Sequence, residues 1–195
     1  MRAIHQAIFS FFAVVYFLAS HSVIAKEKQH KPAFSLIQHI GLLTSPESAF
    51  GNAQLIAGVQ YARLFTGIGI SIDPYYAFSF PIFLHTRYTV VEQRLTFFAY
   101  GDFGINKPYY SKNRFPRKYD DGREAYTIFP GWYYDIGIGV QTNITKSLKY
   151  HVSIGSSYKE TSFQRVNYGW QSSTITYDTY RNIASRLSIK MGLQF

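Results

Sequence analysis

The chain has 195 residues, of which 18% are aromatic and only 16% charged, with a formal net charge of +9. So many aromatics at so low a charge exclude a disordered chain, and the absence of cysteine excludes a disulfide framework, a Cys-ligated zinc site, a thiol nucleophile and a lipidated cysteine. The length suits one domain, and the cations are not gathered in one helix or short run, which argues against a nucleic-acid partner.

The N-terminus has the layout of a secretory signal. Arg2 and His5 precede an uncharged apolar run over residues 7–19, and the polar stretch after it ends in Val23-Ile24-Ala25 before Lys26-Glu27-Lys28. The run is too short for a membrane-spanning helix, which needs ~20 apolar residues, so residues 1–25 are expected to be cleaved after Ala25. Residues 26–33 then form a short periplasmic segment, and residues 34–195 form the folded domain.

Along that domain the hydrophobic period is two, the pleat of a strand. Strands are predicted near 34–44, 52–63, 65–73, 80–91, 94–106, 131–144, 147–161 and 180–195. In the first, Leu36, Ile40 and Leu42 compete with Ile37 and Leu43, and its phase stays open. Ile68, Ile70 and Ile72 alternate with Gly67, Gly69, Ser71 and Asp73. Ile82, Leu84, Tyr88 and Val90 alternate with His85, Arg87 and Thr89, although Phe83 and Thr86 break the rule. Trp132, Tyr134, Ile136, Ile138 and Val140 alternate with Tyr133, Asp135, Gly137, Gly139 and Gln141. Leu148, Tyr150, Val152 and Ile154 alternate with Lys149, His151, Ser153 and Gly155. The pattern is sharpest at the end, where Leu187, Ile189, Met191, Leu193 and Phe195 share one face and Arg186, Ser188, Lys190, Gly192 and Gln194 the other.

The character of the two faces separates a soluble sandwich from a membrane barrel. The polar face carries Gly, Ser, Gln and isolated charges, which suits a narrow packed interior. The apolar face carries Ile, Val, Leu and aromatics, with Tyr and Trp near segment ends, as in interfacial girdles. Sheets that span hydrocarbon must close on themselves. An all-β, eight-stranded, antiparallel, up-and-down transmembrane barrel is the reading. A wide porin of ~16 strands at ~10 residues each would leave no loops. Tight joins at residues 63–65, 92–93 and 145–146 alternate with longer ones at 45–51, 74–79, 107–130 and 162–179, the expected asymmetry of short periplasmic turns and long outer loops. The longest, 107–130, holds six Lys or Arg, three Asp or Glu and four Tyr.

The runs Gly67-Ile68-Gly69-Ile70-Ser71-Ile72-Asp73, Pro81-Ile82-Phe83-Leu84-His85-Thr86-Arg87-Tyr88 and Phe97-Phe98-Ala99-Tyr100-Gly101-Asp102-Phe103-Gly104, followed by Ile136-Gly137-Ile138-Gly139-Val140 and Ser153-Ile154-Gly155-Ser156-Ser157-Tyr158, resemble the small outer-membrane β-barrel domain family, of OmpA/OmpX type and loosely of porin family. The resemblance implies a Gram-negative outer-membrane location and no reaction. The terminal Phe195, with Leu193, Met191, Ile189 and Leu187 at alternating positions before it, resembles the signal read by the barrel insertion machinery.

The alternation points His85, Arg87, Arg94, Asp102, Asp135, Lys149, His151, Arg186 and Lys190 into the lumen. An eight-stranded interior is just wide enough for side chains, so a network of ion pairs that plugs and stiffens the barrel is expected, with a small channel or proton path as the alternative. His151 and Ser153 share a face, a spacing that permits a His-activated serine and resembles the His-x-Ser of the outer-membrane lipid A deacylase. Here, however, Ile154 follows where that family has Asn, and the phase points His151 inward. Gly67-x-Gly69 and Gly137-x-Gly139 lack the third Gly and the helix of a dinucleotide loop and read as inward glycines that make room for interior side chains. No catalytic residue, metal or cofactor is expected. The expected partners are outer-membrane lipid, lipopolysaccharide facing the basic loop, and the insertion machinery, and the barrel is expected to be a monomer with a non-enzymatic envelope role. A narrow porin-like channel and a lipid A-modifying hydrolase are the alternatives.

Overall fold

A computed structural model of the chain describes residues 31–74, 78–91, 95–109, 126–145, 147–168 and 175–195. The leader (1–25), most of the next segment (26–30), most of the basic loop and Arg94 lie outside the described residues. The strands are β1 (Ala33–Ser45), β2 (Ser48–Tyr61), β3 (Leu64–Ile72), β4 (Ser79–Val91), β5 (Thr96–Pro108), β6 (Tyr126–Phe129), β7 (Gly131–Asn143), β8 (Lys149–Tyr168) and β9 (Ile175–Gln194). Each is antiparallel to its neighbours, and the ladder from β1 to β9 closes through Ile37↔Gln194 to Thr44↔Leu187. The result is a closed eight-stranded up-and-down barrel.

β6 and β7 occupy one place in the wall, both pairing with β8. Phe129 faces Ser162 while Tyr133 faces Lys159, so the ladder slips by one residue across Pro130. Proline has no N–H to donate, and such slips are where a strand tolerates it.

Three connections correct the sequence reading. Residues 45–51 are not a long loop, because β2 begins at Ser48 and a two-residue turn suffices. Residues 74–79 are pinched by an isolated bridge between Asp73 and Ser79. Residues 162–179 are mostly strand: β8 and β9 pair from Lys149↔Gln194 to Tyr168↔Ile175. β1 accompanies β9 only as far as Leu187, while β6 flanks β8 as far as Arg165, opposite Asp178; past that pair the two strands continue with only each other as partners among the described residues.

The outward face carries the apolar residues. Ile40, Leu42, Leu55, Ile68, Ile70, Ile82, Leu84, Ile105, Ile138, Ile154, Leu187 and Met191 are exposed. In water so continuous an apolar surface would be a liability, whereas in hydrocarbon it is the required exterior. Aromatic residues bound this belt on β8, from Tyr150 to Tyr158, which are ~20 Å apart along the axis at the usual strand tilt. Tyr134 stacks on Tyr158 at 4.6 Å between ring centroids, and Phe103 on Trp132 at 5.5 Å, at the end away from the termini. The phase of β1 resolves in favour of Ile37 and Leu43, which are buried, leaving Ile40 and Leu42 outside.

The aromatics are not confined to the lipid face. Phe65, Phe83, Phe98, Tyr100 and Tyr133 are buried in the lumen, beside Ile37 and Ile56. Strand parity holds at each of them. Interior volume rather than polarity selects the residue, because an eight-stranded lumen is just wide enough for the side chains that fill it.

Candidate functional site: the filled lumen

A lysine stands at the centre of the barrel. Lys190 on β9 reaches Asp135 Oδ2 at 3.2 Å and Asp102 Oδ2 at 3.4 Å, with its Nζ 4.3 Å from the ring centre of Tyr100. Asp102 and Asp135 are direct cross-strand partners on β5 and β7, an arrangement of like charges that destabilises a sheet unless a cation sits between them. The remaining carboxylate oxygens are also satisfied. His85 Nδ1 lies 2.5 Å from Asp102 Oδ1, and Tyr100 and Ser188 donate to Asp135 Oδ1 at 2.9 and 3.1 Å. All of these groups are buried.

Beside this cluster lies a second one, built of imidazoles. His39 Nε2 on β1 and His151 Nε2 on β8 are 2.5 Å apart. Both flank Gly192 of β9 in the ladder. A side chain there would begin 2.5 Å from the His39 ring and 2.8 Å from His151 Nε2, so the glycine is what lets the two rings meet across the intervening strand. The inward-glycine reading holds on the other motifs: a Cβ on Gly69 or Gly139 would meet the ring of Phe83 or Phe98.

Towards the termini, Arg87 donates to Gln194 Oε1, and its guanidinium lies 5.4 Å from the Phe65 ring centre and 5.1 Å from that of Phe98. Gln194 donates in turn to Ser35 Oγ at 2.8 Å. Towards the other end, Lys159 pairs with Asp73 and Arg186 donates to Ser48 Oγ at 3.2 Å and to the Leu43 carbonyl at 3.4 Å. Among His39, His85, Arg87, Phe98, Tyr100 and Lys190, the space left is too small for a water molecule.

Of the side chains assigned to the lumen by alternation, His85, Arg87, Asp102, Asp135, His151, Arg186 and Lys190 are buried inside, and Lys149 is half-buried at the terminal end. Asp102, Asp135, His85 and Lys190 come together in one cluster; Arg186 stands apart from them, with Ser48 and the Leu43 carbonyl. Leu187, Ile189, Met191, Leu193 and Phe195 lie on the outward face. His151 and Ser153 both point into the lumen and are buried, where no lipid reaches them.

Alternation had put Asp73 and Tyr133 on the inward face, whereas His39, Gln54, Lys159, Phe65, Phe83, Phe98 and Tyr100 were missed. Parity would have found most of them: Phe98 and Tyr100 lie an even number of positions from Asp102, Phe83 from His85, and Lys159 from His151. His39 needed the phase of β1. No cluster of three metal-ligating residues occurs among the described residues.

A closed eight-stranded barrel with an apolar exterior rimmed by aromatics is an integral membrane β-barrel, in fold like the small outer-membrane barrels of OmpA/OmpX type. The chain is similar in fold to the crystal structure of Neisserial surface protein A (10% identity, 84% of this chain and 97% of that one, TM-score 0.53) and to a major outer membrane protein from Thermus thermophilus (10% identity, 85% and 99%, TM-score 0.51). No protein-family model matches the chain, and no curated protein matches it in sequence. At these identities the likeness is one of fold, and the lipid-facing exterior carries the membrane placement.

Proposed function

We propose that the protein is a non-enzymatic envelope protein: a sealed, monomeric barrel that holds surface loops at the outer face of the membrane. The observation that carries this reading is the lumen, where Lys190 ties Asp102 to Asp135 and the neighbouring space holds no water. A buried ion network with its partners in place stiffens a barrel, and a filled interior has no path for solute. His151 and Ser153, sealed in that interior, cannot reach a lipid substrate, which counts against a lipid A hydrolase.

The basic Tyr-rich loop at 107–130 would then meet the anionic phosphates of lipopolysaccharide by ordinary surface electrostatics, and Leu187, Ile189, Met191, Leu193 and Phe195 would serve the insertion machinery. Residues 1–25 would direct export and be removed.

Planar-bilayer recordings of the purified barrel at neutral pH test the sealed lumen. No stable conductance is expected, and reproducible steps would overturn it. Replacing residues 110–125 by a short Gly-Ser linker tests the loop and spares β5 and β6: adhesion of cells to an anionic or host surface should fall, and unchanged adhesion would count against a ligand role.

A further inference from the structure

The geometry points to the His39–His151 pair as an acid-released latch inside the barrel, an inference that rests on the sealed-lumen reading. Its basis is a set of proton positions that the neighbours dictate. Gln54 Oε1 lies 3.5 Å from Lys190 Nζ and 3.1 Å from His39 Nδ1. An ammonium only donates, so the atom facing it is the amide oxygen, and His39 must carry its proton on Nδ1 to donate to that oxygen. His39 Nε2 is then a bare acceptor, and the 2.5 Å contact requires His151 to donate from Nε2. His151 Nδ1 is left without a proton. It is a buried atom with no hydrogen-bond partner, as a bare lone pair in a sealed space would be.

The pair joins β1 to β8 over Gly192. It accepts one proton without rearrangement, because an imidazolium at His151 still donates from Nε2. A second proton would have to enter at His39 Nε2 and set two N–H groups against each other at hydrogen-bond distance. The rings must then part. The surroundings oppose that charge. His85 and Arg87 of β4 and Lys190 of β9 face the same space, with Tyr100 of β5, and the nearest carboxylates, Asp102 on β5 and Asp135 on β7, are already engaged by Lys190. In the unfolded chain both histidines protonate below pH ~6.5. With the rings in contact the pair has room for one proton where two separated imidazoles have room for two, so acid favours the separated rings.

The test uses the whole barrel refolded in dodecylphosphocholine micelles. Long-range nitrogen–proton spectra of histidine-labelled protein at pH 7.5 should place the proton on Nδ1 of His39 and on Nε2 of His151. A proton on His39 Nε2 overturns the latch. Thermal unfolding at pH 7.5 and 4.5 is then compared between wild type and the double variant His39→Gln/His151→Gln, whose two amides can still hydrogen-bond each other over Gly192 and take no proton. Wild type should lose about 5–10 °C more than the variant over that interval, from one proton across two pH units. Equal losses overturn the latch, since every other ionisable group is common to both proteins. Should the variant fail to fold, the wild-type spectra still decide. Conductance at pH 7.5 would instead sink the sealed lumen, and tells the two failures apart.

Discussion

At the scale of single residues, Lys190 has the largest consequence. It is the cation between two cross-strand aspartates that face each other across β5 and β7. Replacing it by Met leaves two buried carboxylates uncompensated, a loss of about 3–5 kcal/mol. The folded fraction of the Lys190→Met barrel in a urea series should drop accordingly, and adding Asp102→Asn with Asp135→Asn should restore much of it. If the single variant unfolds like wild type, the central network does not hold the barrel. A smaller effect belongs to Ala62, which ends β2 with a positive φ of 49°. A side chain is strained there, so Ala62→Gly should raise stability by about 0.5–1 kcal/mol, read as a higher urea midpoint. Charged lumen residues such as Asp135 and Lys190 were legible from alternation. Their partnership was not, because Asp135 and Lys190 lie on strands separated in the wall by β8.

At the scale of elements, the strand faces obey one rule and the strand ends obey others. Ile138 lies on the lipid side of β7 and is 64% exposed. Near the midplane, Ile138→Arg should cost about 2–4 kcal/mol of membrane-folded stability, measured by equilibrium refolding into lipid vesicles; no cost would mean that this face is not lipid-facing. The hairpin beyond Lys159 and Ala184 behaves differently. Past Leu187 its β9 edge has no partner strand among the described residues, and it adds nothing to lumen closure. Deleting residues 166–177 and rejoining the strands through a two-residue turn should leave the barrel folded, with an unchanged heat-induced shift on gels. Strand positions were readable from period two wherever lipid and lumen sort the two faces. The continuation of β8 and β9 into 162–179 was missed, and the phase of β1 stayed open because Leu36 and Ile37 are equally apolar and neighbouring strands decide which is buried.

At the scale of the whole molecule, the low charge and high aromatic content acquire a place. The outer belt takes Ile, Val and Leu with aromatics at its rims, while Phe65, Phe83, Phe98, Tyr100 and Tyr133 fill the interior. Four of the 20 Lys and Arg residues, Arg87, Lys159, Arg186 and Lys190, are buried in the lumen, where Asp73, Asp102 and Asp135 offset all but one of their charges. A protein so arranged should be silent in a bilayer at neutral pH, and should owe its acid sensitivity to histidines within the wall rather than to its loops.

The residue order sufficed for the strands, their inward and outward faces and the membrane-spanning class, because alternation is a local property imposed by two different solvents on one pleated chain. It could not reveal how far β8 and β9 pair with each other, that Lys190 sits between Asp102 and Asp135, or that His39 meets His151 over Gly192. Those features depend on shear and register around the closed barrel, which bring together residues 112 positions apart and which no stretch of sequence specifies alone.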